Sequence, residues 1–170
     1  MAELLNRDER IAIARLHALL ELLPTALDKE LAPAGLTSFE YTLVEVLAEA
    51  PAHRMRLSML AAKTNATLPR LSRVVSSLER KGLVVRAPCS QDGRATNAVL
   101  TPGGIDAFNA SRELYAKAAR AMILDGLATL PDDGVAQLAE LSYAILSTLD
   151  PDKRLPVTAD GAPSCGADPA

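Results

Sequence analysis

Tryptophan is absent from these 170 residues, aromatics make up 3% of them, and cysteine occurs twice. With so little aromatic surface the core has to come from Leu, Val, Ile and Ala, and a chain rich in Leu and Ala favours helices. Cys89 and Cys165 stand far apart with no metal-type spacing, which argues against a zinc framework and suits a reducing cytoplasm. No uninterrupted apolar run approaches the roughly 18–20 residues that cross a bilayer. The opening MAELLNRDER lacks the basic and then apolar stretches of a secretory leader, so none is expected. The only histidines are His17 and His53, with no nucleophile motif, no paired metal ligands and no glycine-rich phosphate loop. The expectation is a chain that is not an enzyme and needs neither metal nor cofactor.

What is present suits one or two compact domains: 49% hydrophobic and 23% charged residues. The net charge of −3 hides an uneven distribution. From Arg54 to Arg94 there are nine basic residues against two acids, Glu79 and Asp92, so this segment carries +7 and the rest of the chain −10. A basic module in an acidic frame is an electrostatic footprint for a polyanion. A solvated charge cluster is the plainer alternative.

Along the chain, residues 6–31 read as a long helix, opened by Asn6 and Glu9 in a capping-box pattern and kinked or broken by Pro24. Ile11, Ile13, Leu16, Leu19, Leu20, Leu23 and Leu27 give it more apolar surface than one face holds, which points to a second copy as its partner. Thr37 and Glu40 open a second helix with Phe39, Leu43, Val46 and Leu47 inward. Residues 54–57 suit a very short strand, and Ser58 begins a brief helix to about Lys63. Asn65 occupies a turn position that favours left-handed backbone. Thr67 then caps a helix over 67–81 with Leu71, Val74, Val75 and Leu78 inward, and Gly82 ends it. Strands at 83–89 and 96–101 flank Asp92-Gly93, a strong hairpin signal. Pro102 starts a helix to about Thr129, Pro131 breaks the chain, and 132–149 form a last helix. Residues 150–170, rich in Pro, Gly, Asp and Ala, read as a flexible tail.

The fold expected is mainly α with a small β-hairpin. Residues 37–101 form a winged helix-turn-helix, flanked by dimerisation helices at 6–31 and 102–149. Such a module sets its second helix in a major groove with its N-terminal outward residues at base edges. Those residues are Thr67, Leu68, Pro69, Arg70, Ser72 and Arg73. Arginine offers guanine a bidentate fork, and serine bonds to a base edge or a phosphate. The hairpin lies beside the duplex, where Arg94 at its tip, oriented by Asp92, reaches the negative potential of the minor groove. A winged helix used only for protein contact is the rival, though it has no need of arginine at both places.

The stretch LSMLAAKTNATLPRLSRVVSSLERKGLVVRAPCSQDGRATNAVLTPGG resembles the multiple-antibiotic-resistance regulator (MarR) family. It carries Leu60-Ala61, Ser72-Arg73, Leu78 through Val84, Arg86, Asp92 with Arg94, and Leu100 through Gly104 in the family's order. The resemblance covers about residues 6–149. It implies a sequence-specific, double-stranded DNA-binding regulator, a homodimer on a pseudo-palindromic operator. It also implies that Asp92 and Arg94 form the wing pair and that Arg86 belongs to the DNA-binding set. A repressor relieved by a small aromatic or phenolic anion is its further implication, with His17, Tyr41 and Tyr115 the polar candidates near such a ligand. For each of these, an interface histidine or a packed tyrosine is the plainer role. Cys89, in a wing strand with no obvious activating base, reads as a small apolar residue.

Overall fold

In the computed structural model, which describes residues 4–89 and 95–149, the first helix, α1 (Arg7–Leu31), is set by its cap. Asn6 Oδ1 accepts from the backbone N–H of Asp8 and Glu9 at 2.9 and 3.0 Å, and Glu9 reaches back to the Asn6 N–H. The expected break at Pro24 does not occur, and one helix of 25 residues runs through it. Proline removes a single hydrogen bond there, while burial of Leu27 and Leu31 beyond it anchors the last turns.

Gly35, at φ +69°, turns the chain into α2 (Ser38–Glu49). Its N-terminus is closed by the expected Thr37–Glu40 box, and the Ser38 N–H donates to Asp28 of α1 at 2.6 Å. Leu43, Val44 and Leu47 are fully buried, together with Tyr41, whereas Phe39 and Val46 are only partly so. After α2 come β1 (Arg54–Arg56), α3 (Leu57–Lys63) and α4 (Leu68–Arg80). Asn65 does take the left-handed backbone expected of it, at φ +49°. Leu71, Val75 and Leu78 of α4 enter the core and Val74 lies at its margin.

Two strands, β2 (Val84–Pro88) and β3 (Thr96–Leu100), form the antiparallel hairpin, with Arg86 opposite Ala98. The short strand β1 pairs with the other edge of β3, Met55 opposite Ala98, giving a three-stranded sheet in the order β1-β3-β2. The wing is therefore stitched to the segment that precedes α3. The tip of the hairpin, including Asp92 and Arg94, and the tail 150–170 lie outside the described residues.

Thr101 opens α5 (Pro102–Ala119): its hydroxyl accepts from the Gly104 N–H at 3.0 Å and donates to the Gly82 carbonyl at 2.7 Å. The run to Thr129 is not one α-helix, as expected, but passes through a π-helical turn (Arg120–Leu124) into a short α6 (Asp125–Leu127). It stops where Gly126 weakens the helix and the Thr129 hydroxyl bonds the Gly126 carbonyl. The last helix, α7 (Gly134–Leu149), starts on the Asp133 carboxylate, which accepts from Val135 and Ala136. Among the described residues no helix is long and apolar enough to cross a membrane.

Gly104 shows how tightly α5 seats on the wing. A Cβ there would collide with the Leu83 carbonyl oxygen and the Leu100 side chain, whereas one on Gly103 would meet nothing nearer than 3.7 Å. Gly104→Ala is expected to lower stability by about 1–3 kcal/mol through overpacking. Gly103→Ala, by contrast, should be neutral or stabilising by up to about 1 kcal/mol from helix propensity. Urea midpoints of the two variants check this, and equal midpoints would contradict the close seating.

Candidate nucleic-acid interface

Helix α4 has four sides, and three of them are taken. Leu71, Val75 and Leu78 point into the core. The stripe Arg70, Val74, Ser77 and Lys81 lies against the first turns of α2. There the buried Glu40 carboxylate accepts from Ser77 Oγ at 2.9 Å and from Lys81 Nζ at 2.6 Å, besides the Thr37 N–H at 2.9 Å. Lys81 also bonds the Gly35 carbonyl at 2.8 Å. Burial on its own would raise the Glu40 carboxyl, but the bonds from Lys81, Thr37 and Ser77 outweigh it and hold the group below its ordinary value.

The third side meets the wing. Arg86 of β2 makes an ion pair with Glu79, and its guanidinium donates to the Ser72 carbonyl at 2.9 Å and to the hydroxyls of Ser72 and Ser76 at 3.3 and 3.2 Å. Its backbone N–H donates to Glu79 as well. Arg86 and Ser72, both named from sequence as DNA contacts, thus face each other and fix the hairpin to the helix. The Arg86 charge is matched inside the domain.

What remains is the outward side. Thr67, Leu68, Pro69, Arg70 and Arg73 are exposed, Leu68 at 51%. No hydrogen bond or ion pair engages Arg73 among the described residues. Thr67 stands at the N-cap position but its side chain makes no capping bond, contrary to expectation. Pro69 at the second helical position has no N–H to offer it. Arg70 is not simply outward: its guanidinium carbon lies 4.2 Å from the centroid of the Phe39 ring. Of the basic residues counted from sequence, Lys81 and Arg86 are therefore neutralised by Glu40 and Glu79, while Arg54, Arg73 and Arg80 remain exposed. Nothing local in the sequence announces the Glu40 pairing, since its partner is 41 residues away.

The candidates for a small-molecule site divide. Tyr41 and Tyr115 are brought together, their rings stacked 4.3 Å apart, and the Phe108 ring lies 6.1 Å from that of Tyr41. The Tyr41 hydroxyl donates to Glu45 at 2.8 Å, and burial followed by that carboxylate raises the pKa of the phenol. Burial does the same to Tyr115. Both tyrosines keep their protons at any physiological pH. His17 is exposed on α1 and joins neither ring by a hydrogen bond. Cys89 does have a basic neighbour, for Arg56 of β1 donates to its sulfur at 3.2 Å, a contact that pairing of β1 with β3 creates. Among the described residues no group of three or more His, Cys, Asp or Glu side chains is placed to hold a metal ion.

Glu40→Gln should lower stability near neutral pH by about 1–3 kcal/mol, because Lys81 and Ser77 lose the charge they bond. The folded-state pKa is depressed, so the carboxylate's contribution is complete above its unfolded value of 4.5 and fades as pH falls through the lower folded value. The gap between wild type and variant should accordingly narrow as pH falls below 4.5. Urea midpoints measured from pH 3 to 7 check it, and a gap independent of pH would contradict the depressed value.

Residues 34–95 match the family model described as MarR family. No curated protein matches the chain. Sco3205, a MarR family transcriptional regulator from Streptomyces coelicolor solved in complex with DNA, is 28% identical. It superposes with a TM-score of 0.83 over 90% of this chain and 94% of that one. AbsC, a second MarR family regulator from the same organism, is 29% identical with a TM-score of 0.80, covering 88% and 99%. CouR from Rhodococcus jostii, solved with p-coumaroyl-CoA, shares the fold at 22% identity and a TM-score of 0.65, covering 85% and 95%.

Proposed function

From the match over residues 34–95 and a fold shared over nine-tenths of the chain, we propose that the protein is a MarR family regulator that works in the cytoplasm as a homodimeric repressor. In this proposal it binds double-stranded DNA sequence-specifically and is released by a small aromatic ligand. Transcriptional regulation is the family's activity. The observation that carries the proposal is the condition of α4. Three of its sides are fastened to the core, to α2 and to the wing, and the side left over presents Leu68, Pro69 and the unengaged Arg73. A helix held this firmly, with an open basic face at its N-terminal end, suits insertion into a major groove. Arg94, with Asp92 to orient it, completes the contact from the wing. Residues 37–101 are the DNA-binding module, and 6–31 with 102–149 the dimerisation helices.

The flanking helices support the dimer. Leu19, Leu20 and Leu22 of α1 are 58%, 64% and 69% exposed, and Leu141 and Leu149 of α7 are 65% and 75% exposed. Each such leucine gains about 1.5–3 kcal/mol on full burial, and an apolar surface of that extent marks an interaction site. A symmetric dimer places two α4 helices on half-sites about one helical turn, roughly 34–36 Å, apart. For a ligand response, the support is the aromatic stack of Tyr41, Phe108 and Tyr115 between α2 and α5.

Sedimentation at micromolar concentration should return a dimer, and a folded monomer would refute the assignment of the flanking helices. Arg73→Ala should cost about 1–3 kcal/mol of operator affinity if it reads a base. If it meets only phosphate, it should instead lower the salt slope by about one. Arg112→Ala, on the exposed side of α5, should do neither. Equal losses for Arg73→Ala and Arg112→Ala in fluorescence-anisotropy titrations would remove α4 as the reading helix. No binding of any duplex at low salt would favour a winged helix that serves protein contact alone.

A further inference from the structure

Phe39 sits at the start of α2, half-buried against the core, and the Arg70 guanidinium lies over its ring at 4.2 Å. We infer that Phe39 is a positioning residue for DNA reading: its ring holds the Arg70 guanidinium in a fixed plane so that the N–H edge meets a guanine already oriented.

The geometry separates the two uses of the side chain. The guanidinium carbon lies over the ring, and a cation–π contact made through the guanidinium face leaves its five in-plane donors to other partners. None of those donors is taken by a hydrogen bond or ion pair among the described residues. The fork that would engage guanine O6 and N7 is thus left open. Arg73, one turn further along, has no such platform among the described residues. A free arginine loses rotamer freedom on docking, whereas a stacked one has lost much of it beforehand, and that difference appears as affinity and as selectivity for one base pair. The platform is itself fixed, because the neighbouring Glu40 ties the same turn of α2 to Ser77 and Lys81 of α4. Phe39 belongs to α2, not to α4 or the hairpin that meet the duplex in the proposal above.

This inference rests on the DNA-reading proposal above, and the experiment keeps the two apart. Wild-type protein selects its preferred duplex from a random-sequence pool, and every single-base variant of that duplex is then titrated against wild type, F39L, F39M, F39Y, R70A and F39L/R70A. Loss of an exposed cation–π contact corresponds to about a two- to fivefold loss of affinity. F39L and F39M are expected to lose that much on the preferred duplex and to relax discrimination at one base pair, the one R70A relaxes. F39Y, which keeps the ring face, should retain both, and F39L/R70A should equal R70A. Thermal midpoints confirm that each variant is folded. The inference is overturned if F39L and F39M bind and discriminate as wild type does while R70A does not. It is equally overturned if F39L costs the same factor in the R70A background. Failure of wild type to select any duplex overturns the DNA-reading proposal and this inference together.

Discussion

The Glu40 carboxylate, buried between α2 and α4, is the contact on which the placement of α4 depends. It closes the N-terminus of α2 by accepting from Thr37, and in the same place accepts from Ser77 and Lys81 of α4. A carboxylate removed from water is costly unless charge and hydrogen bonds surround it. Here they do, and the lowered pKa records that the surrounding donors win over burial. Through one residue, the cap of one helix and the placement of the next become the same event.

A second polar knot works on the opposite flank. Arg86 and Glu79, with Ser72 and Ser76, bind the first wing strand to α4. The wing is also sewn from behind by β1. The described base of the hairpin is therefore tied both to α4, through Arg86, and to β1, through β3. Both knots consume basic residues. Much of the excess positive charge in this segment is thus spent on internal construction, and what is left for a polyanion is concentrated on Arg54, Arg73, Arg80 and the edge of Arg70.

The apolar distribution is the converse. The core around α2, α4 and the sheet is closed, while the flanking helices leave leucines in the open at more than half their surface. The two features are complementary: α4 is fastened within the single chain, while the flanking leucines lie uncovered by it. The aromatic stack of Tyr41, Phe108 and Tyr115 lies between the two regions, joining α2 to α5.

Much of this was legible in the residues themselves. The capping boxes at Asn6 and Thr37, the left-handed turn at Asn65, the stop at Gly82 and the inward register of Leu71, Val75 and Leu78 follow from local stereochemistry and helical period. So does the surplus apolar girth of α1, which needs only counting. Local rules failed where the deciding partner was distant. Pro24 did not break α1, because burial of Leu27 and Leu31 outweighs one lost hydrogen bond. Thr67 did not cap with its side chain, and Pro69 at the second helical position removes one of the two donors such a bond uses. The roles of Arg86, Lys81 and Arg70 were beyond sequence for a different reason. A charge on a helix looks the same in sequence whether it faces solvent, a buried carboxylate 41 residues away or an aromatic ring on another helix. Periodicity determines which residues share a side of α4. Only the packing of α2 and the wing against it decides which of those sides stays open.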